Sequence, residues 1–99
     1  MTVDFRIATI NVPDGTGRRN LPGSVTFGNT VNRANVALNG FRLTYTDDDH
    51  HVTTVEADVD FVSLSGNRVN FNVECDYRDK NADDQYNGYV SVLVVADVV

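Results

Sequence analysis

Asp47, Asp48, Asp49, His50 and His51 are consecutive and form the densest group of potential metal ligands or proton carriers in the chain. Carboxylates and imidazoles together suit zinc or calcium. If this run binds an ion or ligand, Asp47, Asp49, His50 and His51 are the residues that would hold it. A strict calcium loop, however, places its ligands at alternate positions around a central glycine, and this run does not. The plainer reading is a solvated turn between strands, and no metal or other cofactor is expected. Asp76, Asp79, Asp83 and Asp84 form a second acidic group that reads the same way.

Catalysis has little to work with. The two histidines are neighbours, and neighbours on a strand point to opposite faces. There is no nucleophile elbow, phosphate-binding loop, dinucleotide fingerprint or His-Glu-x-x-His motif. Carboxylates on facing strands could reach glycosidase spacing, but any Asp-rich sandwich offers such pairs. The expectation is a protein that is not an enzyme. Tyr45, Tyr77, Tyr86 and Tyr89 fall at strand ends or loop edges, where a ring with a polar tip serves sugar stacking or a subunit contact. Arg18, Arg19, Arg33 and Arg78 read as surface ion-pair or interface residues.

The elements that must position these side chains are strands. Valine, phenylalanine, tyrosine and threonine dominate, whereas Lys occurs once (Lys80) and Glu twice (Glu56, Glu74); that is strand chemistry, not helix chemistry. Residues 3 to 10 alternate, with Val3, Phe5 and Ile7 opposite Asp4 and Arg6, as a half-buried strand does. Pro13-Asp14-Gly15 is a turn, and the stretch to Gly23 reads as an exposed loop. A short second strand holds Val25 and Phe27. In a third, Ala34 to Tyr45, the apolar phase changes at Asn39-Gly40, as a β-bulge would require. Residues 53 to 62 form a fourth strand, Ser65-Gly66-Asn67 a hairpin turn, and Val69 to Tyr77 the most regular strand, with Cys75 as a small core residue. The last strand, Gly88 to about Asp97, is apolar on both faces. One face can meet the core of a 99-residue sandwich; the other, on this reading, meets a neighbouring chain. Tyr89, Val92, Leu93 and Val95 are therefore the expected oligomer interface.

Length and charge narrow the rest. A chain of 99 residues buries roughly 60–65% of its unfolded surface, enough for one core and one domain. A net charge of −6 disfavours nucleic acid, whose phosphates need clustered Lys and Arg, and suits neutral or cationic ligands. A single cysteine excludes an internal disulfide and a cysteine-based zinc site. No apolar run approaches the ~20 residues of a membrane helix. The start, Met-Thr-Val-Asp, lacks a secretory pattern, so synthesis in the cytoplasm is expected, with release or extracellular assembly by a route the sequence does not show. The fold class is all-β, a six-stranded antiparallel sandwich.

From Ser24-Val25-Thr26-Phe27 onward the layout resembles the H-type lectin family, the fold of snail agglutinins and of the discoidin C-terminal domain. Asn32 to Phe41, Val55 to Phe61, the turn at Gly66, Phe71 to Tyr77 and Tyr86 to Val95 follow in the family's order, so the resemblance covers about residues 24–97. It implies a trimer or trimer-based hexamer with sugar sites at the subunit contacts. The family's sugar-binding arginine falls at Asp58, and its aromatic-histidine pair falls near Arg78-Asp79, beside Tyr77; the family's tryptophan has no counterpart, since this chain has no Trp. The resemblance thus implies a carbohydrate-binding oligomeric module with an altered sugar site built on Asp58, Tyr77, Arg78 and Asp79. The alternative is a structural or adhesive oligomerisation module, of a phage or cell-surface assembly, that binds no sugar.

Overall fold

Alternating valines make two strands into the spine of the molecule. In the computed structural model, which describes residues 2–46, 52–80 and 84–99, β5 (Arg68–Asp79) and β6 (Tyr86–Val98) are each the central strand of a three-stranded antiparallel sheet. β1 (Thr2–Gly15) and β3 (Val31–Tyr45) flank β6; β2 (Arg19–Thr26) and β4 (Val52–Ser65) flank β5. The two sheets face each other as a sandwich, and the described residues contain no helix. Strands of this length give a narrow rod of 51 × 17 × 17 Å.

The core lies between the central strands. Val90, Val92, Val94, Ala96 and Val98 of β6 face Val69, Phe71, Val73 and Cys75 of β5, and all are buried. Phe27 and Val31 close one end, and Val12 and Tyr86 the other. The Gly66-Asn67 turn, with Gly66 at φ +61°, also pins the crossover from β2 to β3. The amide of Phe27 donates to the Asn67 carbonyl at 2.8 Å, and that of Val31 to the Gly66 carbonyl at 3.0 Å.

β3 has the expected bulge. Its register with β6 shifts between Leu38 and Gly40, so Asn39 is the extra residue and both apolar halves keep the inner phase. β4 shifts register with β5 between Val52 and Thr54 and again between Phe61 and Ser63, which a single phase through Phe61 does not reveal. β2 starts at Arg19, so part of the expected 16–23 loop is strand: Leu21, Gly23 and Val25 turn towards the core opposite Val73, Phe71 and Val69.

β1 differs most from its sequence reading. Its register with β6 runs unbroken from Thr2↔Val98 to Val12↔Gly88. Without a bulge, Ala8, Ile10 and Val12 take the inner phase and Val3, Phe5 and Ile7 must take the outer one. They are 72%, 60% and 57% exposed. Asp4 and Arg6 lie on the inner phase at the sandwich edge, ion-paired at 2.9 Å, with the Arg6 guanidinium 4.8 Å from the centre of the Phe27 ring.

Buried hydroxyl and thiol groups at the Tyr86 end are expected to make the fold sensitive to alkali. The Tyr86 hydroxyl donates to the Gly17 carbonyl at 2.5 Å, with the Cys75 carbonyl at 3.3 Å and the Cys75 sulfur at 3.9 Å. Burial raises the pKa of both the Tyr86 hydroxyl and the Cys75 thiol above their ordinary values. A group whose folded pKa is raised keeps its proton longer in the native state, so the unfolded chain loses it first and stability falls as pH rises. Urea unfolding from pH 7 upward is expected to show stability held to about pH 9 and falling above it. The Tyr86→Phe variant should be less stable at neutral pH by about 1–3 kcal/mol and should lose less on going to high pH.

Candidate functional site

The outer faces of the two sheets differ in chemistry. On the β2-β5-β4 sheet the outward rows pair Glu56 with Asp76 and Asp58 with Glu74. Asp58, Asp60 and Glu74 bring carboxylate oxygens within 4.8 Å of one another. Arg18 supplies the counter-charge: its guanidinium reaches Glu56 at 2.8 Å and also contacts Glu74. A cation at the three carboxylates would compete with that arginine for Glu74. Arg78 donates to Asp76 at 2.5 Å, a carboxylate only 1% exposed.

The four residues that family resemblance assigns to a sugar do not converge. Asp58 and Arg78 lie on the outer phase, and Tyr77 and Asp79 on the inner one. Asp79 is buried. The Tyr77 ring stacks on Tyr45 at 4.5 Å and meets Tyr86 edge-on at 6.1 Å, so its face is covered by protein. The ion-pair reading of the arginines fares better: Arg18, Arg33 and Arg78 all contact carboxylates. Arg19 instead donates to the Pro13 carbonyl and lies over Tyr86. Asp47, Asp49, His50 and His51 lie outside the described residues.

The outer face of the β1-β6-β3 sheet is the opposite case. Phe5 stands directly across from Val95, and Ile7 from Leu93; Ala37 completes the Leu93 row from β3. Cross-strand apolar pairs of this kind normally sit in a core, yet Phe5, Ile7 and Val95 are exposed. Of the four expected interface residues, Tyr89, Leu93 and Val95 are on this face. Val92 is not: it is fully buried among the inner-face valines, because strand alternation puts it on the opposite side from Leu93.

At one end of this face the apolar stripe gives way to an open cleft of about 660 Å³ with a mixed polar and apolar lining. Asn11 of β1, Tyr89 of β6 and Arg42 of β3 form one cross-strand row, spanning roughly 10 Å at ordinary strand spacing. Asp14, Thr44 and Asn87 extend the lining. The Asn87 side-chain amide donates to Asp14 at 2.7 Å, leaving the Asn87 carbonyl and the second Asp14 oxygen as acceptors.

Gly88 holds the cleft together. Its φ is +153°, and a Cβ there would lie 1.7 Å from the Arg42 carbonyl oxygen. Gly88→Ala must therefore push β3 from β6 beside Tyr89 and Arg42. A loss of about 3 kcal/mol is expected in denaturant unfolding, together with chemical-shift changes concentrated on both strands around the cleft.

No protein-family model, curated protein or solved structure matches the chain. Sequence reading picked out Tyr89 but missed Asn11, Asp14, Arg42, Thr44 and Asn87. They lie on three strands, and only the two β6 registers bring them together.

Proposed function

We propose that the chain is a self-associating carbohydrate-binding module. In this reading the outer face of the β1-β6-β3 sheet is the subunit contact, and the Asn11–Tyr89–Arg42 cleft beside it is the sugar site. The observation that carries the reading is the phase of β1. Val3, Phe5 and Ile7 line up outward with Leu93 and Val95, an apolar stripe that a solitary small domain has little reason to keep. Charge supports the same choice. The carboxylate rows of Glu56, Asp58, Asp60, Glu74 and Asp76 are on the other sheet, so two copies meeting here keep those rows apart. The H-type lectin resemblance would make the assembly a trimer or hexamer.

The cleft has the parts a sugar needs. Tyr89 offers a partly exposed ring for stacking, and the amides and carboxylate around it offer fixed hydrogen-bond partners. A glycan array probed with the wild-type protein and with Tyr89→Ala tests the sugar half. Binding that Tyr89→Ala weakens at least tenfold is the expected result, and sugar binding untouched by that change would rule out this cleft. The second reading is an oligomerisation module without a ligand, favoured by the failure of Asp58, Tyr77, Arg78 and Asp79 to form one site. A stable oligomer with no sugar response would select it.

A further inference from the structure

We infer that the sugar taken by this cleft carries a carboxylate, and that Arg42 binds it; the inference rests on the sugar-binding reading above. Arg6, Arg18, Arg33 and Arg78 each have a carboxylate within ion-pair distance. Arg42, like Arg19 and Arg68, makes no ion pair with any described residue, although it belongs to a chain of net charge −6; of these three it is the one that lines the cleft. It is exposed and lines the cleft next to Tyr89. The cleft's own carboxylate, Asp14, accepts a hydrogen bond from the neutral Asn87 amide and keeps its charge, so Arg42 is the group in the lining that can attract an anion.

The guanidinium is a planar fork matched to a carboxylate, which it can hold through two parallel hydrogen bonds. With Tyr89 between Arg42 and Asn11, a sugar ring lying on the tyrosine places one substituent at the arginine and another at an amide. A uronic acid has that pattern: one carboxylate, neutral hydroxyls and an apolar ring face. The acidic rows on the other sheet do little to oppose it. They lie across the thickness of a rod 17 Å wide, about two screening lengths at physiological salt.

The test uses the purified 99-residue chain and isothermal titration with glucuronate and galacturonate oligosaccharides, each against its methyl ester, which keeps the skeleton and removes the charge. The expected result is that the acids bind at least tenfold more tightly than the esters and that added salt weakens the difference. Arg42→Gln should abolish the preference, so that acids and esters bind that variant equally. Circular dichroism of Arg42→Gln should match the wild type, since the side chain is exposed. Esters binding as tightly as acids, with Arg42→Gln without effect, would overturn the carboxylate inference and leave the sugar site standing. Failure of both acids and esters to bind the wild-type protein would overturn the inference and the sugar reading together.

Discussion

Val92→Asp is expected to leave no folded protein in buffer. Val92 is fully buried at the middle of β6, paired with Ala8 on one side and Leu38 on the other. An aspartate there has no counter-charge among the packed valines around it. Burying an unpaired carboxylate costs several kcal/mol even after its pKa adjusts. A domain of this size has about 5–15 kcal/mol of stability in total, and the valine packing is lost as well. Circular dichroism and an amide proton spectrum check the outcome. A folded Val92→Asp protein would mean that β6 does not present this face to the core.

Phe5→Asp, the same kind of change on the other face of that sheet, is expected to leave the fold intact and dissociate the assembly. Phe5 is 60% exposed in the single chain, so an aspartate there stays in water and costs the monomer about 1–2 kcal/mol in strand propensity and the lost pair with Val95, within the stability of a domain this size. Across a subunit contact the same position loses about 2–3 kcal/mol of apolar burial and gains a charge without a partner. Size-exclusion chromatography with a thermal melt separates the two effects. The expected pair is a folded monomer for Phe5→Asp and an unfolded chain for Val92→Asp. An unfolded Phe5→Asp protein would place Phe5 in the core, against the unbroken β1 register.

What could be read from sequence was local. β5 alternates cleanly, and Val69, Phe71, Val73 and Cys75 fall where that alternation puts them. The bulge at Asn39-Gly40 was legible because the apolar phase changes there within one strand. β1 contains the same kind of phase change, between Ile7 and Ala8, but the chain answers it differently. β3 inserts a residue, whereas β1 keeps its register and turns Val3, Phe5 and Ile7 outward. Nothing within β1 distinguishes these outcomes; pairing with β6 does. The doubly apolar character of β6 is legible in the sequence, but which face is the core is not: both look alike until β5 packs on the Val92 face and leaves Leu93 and Val95 outward.

The candidate site was less legible for the same reason. Asn11, Arg42 and Tyr89 are far apart in the chain, and each looks like an ordinary outward residue. They become one row only through the β1–β6 and β6–β3 registers. The residues suggested by family resemblance sit close together in sequence, but alternation sends Tyr77 and Asp79 inward and Arg78 outward. Sequence proximity within a strand separates side chains as often as it gathers them.

The solution mass of the purified wild-type protein, measured by light scattering over a range of concentrations, tests the central claim most directly. If the outer β1-β6-β3 face is a contact between copies, the mass is a multiple of the 10.9 kDa chain, and Phe5→Asp returns it to one chain. A wild-type mass of 10.9 kDa at every concentration would contradict the account, leaving the stripe of Val3, Phe5 and Ile7 without the partner assigned to it.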